Sequence, residues 1–169
     1  MRARIRNIKE DDAERYLNLC LRLDRETEFM LLAPGERRTT PEEQRQKLAS
    51  LLASEVSMIF VAEAEGKLVG YLGAFGSDLK RNGHSVYLVV GILQAYSGQG
   101  IGTALFGELE SWARKRGLHR LELTVMAHNE AAIALYKKAG FEIEGVKRDS
   151  IRLDDRYVDE LYMSKLLPA

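Results

Sequence analysis

Gln94-Ala-Tyr-Ser-Gly-Gln-Gly-Ile-Gly-Thr-Ala-Leu-Phe106 places glycines at 98, 100 and 102, between an apolar run over 85–93 and an amphipathic run over about 101–116. Glycine has no Cβ, so the backbone can approach a ligand closely. A helix N-terminus offers free N–H groups and a partial positive charge. A strand, a glycine turn and a helix start together predict a site for a phosphate-bearing ligand.

Working outward, residues 2–8 alternate in polarity and predict a first strand. Ala13, Tyr16, Leu17, Cys20 and Leu23 recur at helical spacing over 11–23. An irregular charged segment, 24–39, follows. Thr40-Pro41-Glu42-Glu43 then carries a cap, a first-turn proline and a capping-box glutamate, which start a helix reaching about Ser54. Strands are predicted over 57–63, 67–75 and 85–93, the first two joined at Glu65-Gly66. Gly91 interrupts the third and predicts a bulge or a close backbone approach. After the glycine turn come a helix ending near Gly117, a strand over 119–126, a helix over 130–139 capped by Asn129, and a hairpin of 141–153 and 156–166 around Asp154-Asp155. The order is β-α-α-β-β-β-α-β-α-β-β, with no repeat or linker. It predicts one α/β domain over 1–169. Short turns join the early strands and helices the later ones, so the sheet must be mixed.

Composition bounds the function. The 169 residues are 46% hydrophobic, and 25 Lys and Arg balance 25 Asp and Glu. A nucleic-acid binder is expected to show a basic excess or stripe, and none stands out. The N-terminal residues lack the apolar core of a signal peptide, and no run approaches the length of a membrane span. The single cysteine, Cys20, precludes an intrachain disulfide. The expectation is a cytoplasmic protein with neither nucleic acid nor membrane as partner. His84, His119 and His128 have no metal-ligand spacing and are expected to be solvated or locally bonded, so no metal is expected.

The glycine turn lacks the Gly-Lys-Ser/Thr end of a P-loop. A dinucleotide fingerprint would need glycine at 103 or 105, where Thr103 and Leu105 stand. Glu122, about twenty residues on, sits in mid-strand rather than at a strand end. Ser97-Gly98-Gln99-Gly100-Ile101-Gly102 instead resembles the coenzyme A motif of the GNAT superfamily of acetyl-CoA-dependent N-acetyltransferases, Gln/Arg-x-x-Gly-x-Gly/Ala. Asn129-Glu-Ala-Ala-Ile-Ala-Leu-Tyr136-Lys-Lys-Ala-Gly140-Phe141 is similar to a second segment of that family, and the element order agrees. Ser97 departs from the family's Gln or Arg, leaving the phosphate cradle to the backbone.

The resemblance implies a GNAT fold, a mostly antiparallel sheet flanked by helices, with acetyl-CoA as cosubstrate. It implies that Val90, Gly91 and Ile92 pair with the pantetheine arm, like an added strand. Gly98, Gln99, Gly100, Ile101, Gly102 and Thr103 would hold the pyrophosphate, and Asn129 would both cap its helix and touch the coenzyme. Tyr136 would protonate the departing thiolate. With ordinary values near 10 for a phenol and 8.5 for a thiol, that transfer is uphill by about 2 kcal/mol. Some protein N-terminal acetyltransferases of this superfamily carry a glutamate base where this chain has Thr124; Glu122, Glu26 and Glu28 are the remaining candidates. Segment 24–39 is expected to line the acceptor pocket; within it Phe29-Met-Leu-Leu32 is either a lid or core packing, and Arg37-Arg38 either meets an acidic acceptor or the coenzyme phosphates or, the favoured reading, is a solvated loop pair. The acceptor is a small-molecule amine or a protein N-terminus, and the final hairpin either closes the acceptor site or builds a homodimer interface. The alternative is a non-catalytic acyl-CoA sensor on the same fold.

Overall fold

Thr40 begins its helix as the sequence requires. Its hydroxyl accepts from the Glu43 amide at 3.1 Å, and Glu43 Oε1 accepts from the Thr40 amide at 3.0 Å. That reciprocal box, with Pro41 in the first turn, opens α2 (Pro41–Ser54). Apolar positions at helical period likewise give α1 (Ala13–Glu26), α3 (Ile101–Lys115) and α4 (Glu130–Lys138). Alternating or apolar runs give β1 (Arg4–Asn7), β2 (Met58–Ala64), β3 (Lys67–Phe75), β4 (Ser85–Ile92), β5 (Arg120–Met126), β6 (Glu142–Leu153) and β7 (Arg156–Leu166). The order is the expected one, with two short 3₁₀ turns added at Glu10–Asp12 and Gln94–Tyr96. This computed structural model describes residues 2–168; Met1 and Ala169, at the ends of the expected domain, lie outside the described residues.

The seven strands form one sheet in the order β1-β2-β3-β4-β5-β7-β6. Every neighbouring pair is antiparallel except β4 and β5. Glu65 and Gly66 both adopt positive φ, 53° and 76°, which lets a two-residue turn match the twist of β2 and β3.

Consecutive residues of β3 show how the faces divide. An added Cβ on Gly70 would meet Ile101 of α3, whereas Tyr71 packs edge-on against Tyr16 of α1 at 5.2 Å. α3 therefore lies on one face and α1 on the other, and the buried Phe60, Leu72, Leu88, Leu105 and Leu109 fill the layers. Each such leucine stabilises the fold by roughly 1.5–3 kcal/mol relative to exposure.

β1, α1 and β2 are also tied by charge. Asp12 is fully buried and accepts from Arg6 at 2.7 and 2.9 Å, from Arg15 at 2.5 Å and from the Lys9 amide at 2.8 Å. Hydrogen bonding to Arg6, despite burial acting the other way, holds the Asp12 carboxyl well below the usual carboxylate range.

The bulge reading of Gly91 is not borne out. β3 and β4 pair without a break from Gly70 opposite Ile92 to Phe75 opposite Tyr87. Register shifts occur instead between Ala62 and Glu63, between Ile143 and Gly145, and between Lys147 and Ile151. The other reading, close approach, holds: a Cβ at Gly91 would lie 2.7 Å from Leu23 Cδ1 and 3.1 Å from Tyr71.

Candidate active site

The sheet opens where the parallel pair β4 and β5 parts. β4 and β5 pair at Ser85–Arg120, Val86–Leu121 and Tyr87–Glu122, after which residues 88–92 and 123–126 have no mutual register. The Leu93 amide donates to the Val69 carbonyl at 2.9 Å. Bonded and non-bonded pairs alternate along an antiparallel ladder. Leu93 and Gly91 therefore face β3, while Val90 and Ile92 turn their N–H and C=O groups into the wedge between β4 and β5. Such an edge is what an extended amide-bearing ligand needs to add itself as a strand. The predicted trio thus divides: Val90 and Ile92 present backbone groups, and Gly91 makes room for Leu23.

The glycine turn continues from the end of β4. Ser97 Oγ donates to the Gln94 carbonyl at 2.7 Å, and the Gln94 amide donates to Glu26 Oε1 at 2.7 Å, which fixes the turn to the end of α1. Gly98 and Gly100 take positive φ, 72° and 81°, a conformation costly for other residues. Gly100 is the α3 N-cap and has no side-chain cap bond. Among the described residues, the amides of Gly98, Gln99, Gly100, Ile101, Gly102 and Thr103 find no acceptor. Unpaired consecutive N–H groups at a helix start form an anion cradle. Gly102 has a different reason for being glycine: an added Cβ would lie 2.7 Å from Leu135 Cδ2, so it sets the approach of α3 to α4.

α4 brings the remaining predicted residues to the wedge. Asn129 Oδ1 caps the helix by accepting from the Ala132 amide at 3.3 Å. Tyr136 is 7% exposed, held edge-on by Phe106 at 5.7 Å and tilted on Phe141 at 6.3 Å. Its hydroxyl makes no hydrogen bond found among the described residues and is not sealed from solvent as the one buried unpartnered side-chain oxygen there, Ser150 Oγ, is. Burial first, and the neighbouring Tyr87 phenol second, push its pKa well above the ordinary tyrosine value. Burial thus makes the phenol a weaker acid than the ordinary values assume.

The candidate bases fare differently. Thr124 Oγ1 lies 2.7 Å from the Tyr87 hydroxyl. Glu122 accepts from Ser85 at 3.1 Å and from Arg120 at 3.2 Å, so both oxygens are engaged on the sheet surface. Glu26 anchors the turn as described. Glu28 lies 2.8 Å from His128 Nε2 and 3.4 Å from Arg156 Nη2, and Phe29 stacks on the His128 ring at 4.9 Å. Sequence reasoning left His128 to solvent or local bonds; its partner stands 100 residues away, and no local signal joins them. Arg37 is no solvated loop residue either. It makes a two-point pair with the buried Asp24, at 2.8 and 3.1 Å, pinning segment 27–40 to α1. No group of three or more His, Cys, Asp or Glu placed to hold a metal ion occurs among the described residues, and no helix is long and apolar enough to cross a membrane.

Known proteins are similar to this chain over the same elements. Residues 19–141 match the acetyltransferase (GNAT) family, a span holding the wedge, the glycine turn and α4. The L-amino acid N-acetyltransferase AaaT of Escherichia coli is 33% identical over 110 residues, 63% of this chain and 66% of that protein. The chain thus spans about two thirds of that relative's length. A GNAT-family acetyltransferase from Streptococcus pneumoniae superposes with a TM-score of 0.93 at 30% identity, covering 98% of this chain and 99% of that one. The yncA structure from Salmonella typhimurium, solved with its cofactor acetyl-CoA, shares the fold with a TM-score of 0.87 at 19% identity, covering 99% of this chain and 95% of its own. Family match, fold and site geometry agree, and the chain belongs to the GNAT family of acetyltransferases.

Proposed function

We propose that the protein is an acetyl-CoA-dependent N-acetyltransferase that moves acetyl directly to an amine in a ternary complex. The observation that carries this reading is the run of unpaired amides from Gly98 to Thr103, set at the end of a β4 edge whose Val90 and Ile92 groups point into an open wedge. The run suits a diphosphate and the edge suits the pantetheine amides. Family membership favours the same ligand.

The chemistry follows. The neutral amine attacks the thioester carbonyl, and N–H groups at the β4 edge near Ile92 donate to the developing oxyanion. Collapse of the tetrahedral intermediate breaks the C–S bond. Tyr136, kept protonated by its burial, gives its proton to the sulfur. Asn129 caps α4 and turns its free amide toward the coenzyme. Residues 1–169 act as one catalytic domain, since α1 and α3 cover the two faces of one sheet and α2 packs on α1. The acceptor is a small-molecule amine or a protein N-terminus; an α-amine is favoured because it gives up its proton more readily than a lysine-like amine. The same reading places the enzyme in the reducing cytoplasm, where the buried Cys20 thiol stays free.

The test is a panel of amines, amino acids and peptide N-termini with acetyl-CoA, followed by release of free thiol. Turnover of at least one amine, with thermal stabilisation by acetyl-CoA and none by NAD, supports the reading. Stabilisation without thiol release across the panel would favour an acyl-CoA sensor. No response to millimolar acetyl-CoA would overturn both.

A further inference from the structure

We infer that His128 is the base that takes the proton from the attacking amine, and that Glu28 is the residue that positions it. This rests on the acetyl-transfer reading above and concerns a step which that reading leaves unassigned.

The carboxylates closest to the chemistry are occupied. Glu122 is shared between Ser85 and Arg120, and Glu26 holds the Gln94 amide. Thr124, which has no basic group, is bonded to Tyr87. His128 has what they lack. It lies just past the C-terminal end of β5, where β4 and β5 have parted, and immediately before Asn129, the cap of the helix carrying Tyr136. Its partners Glu28 and Phe29 follow α1, so the ring sits on the α1 side of the wedge, while Tyr136 reaches in from the side where Phe106 of α3 packs. Acid and base thus approach the wedge from opposite faces.

Seven residues of α4 and its cap, about 10 Å of helix rise, separate Asn129, next to His128, from Tyr136, and helical side chains lean back toward the N-terminus, which brings the phenol toward the His128 end.

The hydrogen bonding selects the tautomer. Glu28 Oε1 lies 2.8 Å from Nε2, and a carboxylate at that distance requires a proton there. Arg156, 3.4 Å from the same oxygen, helps hold Glu28 in place. In the neutral ring Nδ1 then carries the lone pair, and no hydrogen bond to it is found among the described residues. The side chain is 35% exposed, and the Phe29 ring lies tilted at 54° against the imidazole. The charged groups around the ring are Glu28 from the segment after α1, Arg156 at the start of β7 and Glu130 in the first turn of α4; Asp159 is turned to the Asp149 amide. Nδ1 takes a proton from the bound ammonium, and the neutral amine so formed attacks. As the C–S bond breaks, the Tyr136 proton passes to sulfur, and the tyrosinate regains one from the nitrogen of the collapsing intermediate. The imidazolium returns its proton to solvent.

The experiment compares wild type, His128→Gln and Glu28→Gln by kcat and KM from pH 6 to 9.5, with Tm and acetyl-CoA affinity measured alongside. His128→Gln should lower kcat by about 100-fold at pH 7 with acetyl-CoA affinity unchanged, as expected for loss of a general base. The defect should shrink to about threefold at pH 9.5, where solution has already deprotonated an α-amine. An acceptor of lower basicity, such as an alkoxyamine, should also narrow it at pH 7. Glu28→Gln, which keeps the ring and its stacking, should cost about tenfold and move the acid limb of kcat/KM. A loss equal at every pH, or one that follows a fall in Tm, overturns the base assignment, as does an unmoved acid limb in Glu28→Gln. Those results leave the transferase reading intact. A wild type inert toward every amine removes that reading, and this assignment with it.

Discussion

Tyr136→Phe separates packing from chemistry because the structure gives the hydroxyl no packing task. The ring is clasped by Phe106 at 5.7 Å and Phe141 at 6.3 Å, and both contacts survive the substitution. The hydroxyl makes no hydrogen bond among the described residues, so none is lost and no partner is orphaned. Stability should change by about 0.5 kcal/mol or less, in either direction. If the phenol protonates the leaving thiolate, kcat should fall by about 100-fold, equivalent to about 2.7 kcal/mol of transition-state stabilisation. The KM for acetyl-CoA should hold, because coenzyme binding rests on main-chain groups. The pH profile adds a second check. Burial raises the Tyr136 pKa well above its ordinary value, so the proton is held and the alkaline limb of the wild-type rate should not appear below about pH 10. Thiol release from pH 6 to 10, with a thermal melt of both proteins, decides the matter. A Tyr136→Phe enzyme with at least half the wild-type kcat, or one whose loss matches a drop in Tm of several degrees, would refute the argument.

Three further outcomes are expected. Asp12→Asn should cost about 3 kcal/mol in urea unfolding, because it leaves Arg6 and Arg15 facing a neutral partner at a buried site. The folded Asp12 pKa is depressed, so its stabilisation is complete above the unfolded value near 4 and drains away as pH falls below that; the gap between wild type and Asp12→Asn should close over the same range, and a constant gap would contradict it. Gly102→Ala and Gly100→Ala should each destabilise by about 1–2 kcal/mol, but only the first should be relieved by adding Leu135→Ala, since Gly102 is crowded by Leu135 and Gly100 is constrained by its positive φ; relief of both, or of neither, in thermal melts would merge the two causes. At pH 7 an α-amine needs about 1 kcal/mol to lose its proton and a lysine-like amine nearer 4–5, so matched pairs should show faster acetylation of the α-amine; faster ε-amine turnover would count against that preference.

What could be seen from the chain alone was whatever is local or repeats along it. The Thr40–Glu43 box, the Glu65-Gly66 turn and the order of strands and helices are each specified within a few residues, and all are found. The glycine turn was legible for the same reason, though only in part. Gly98 and Gly100 are glycine for backbone conformation, a property of the turn itself. Gly102 and Gly91 are glycine for Leu135 and Leu23, side chains on other elements whose closeness no window of sequence contains. That is why an interruption in β4 read as a bulge became a contact with α1. The candidate site divides along the same line. Asn129 and Tyr136 belong to one helix and were found together. The proton acceptor did not come into view, because His128 meets Glu28 across 100 residues and Arg156 meets Glu28 across 128. Short-range physics thus sets the glycine turn and the helix that carries Tyr136, whereas Glu28, His128 and Arg156 meet only through long-range folding. The first half of such a site can be read from a motif. The second half is legible only where the fold brings distant charges together.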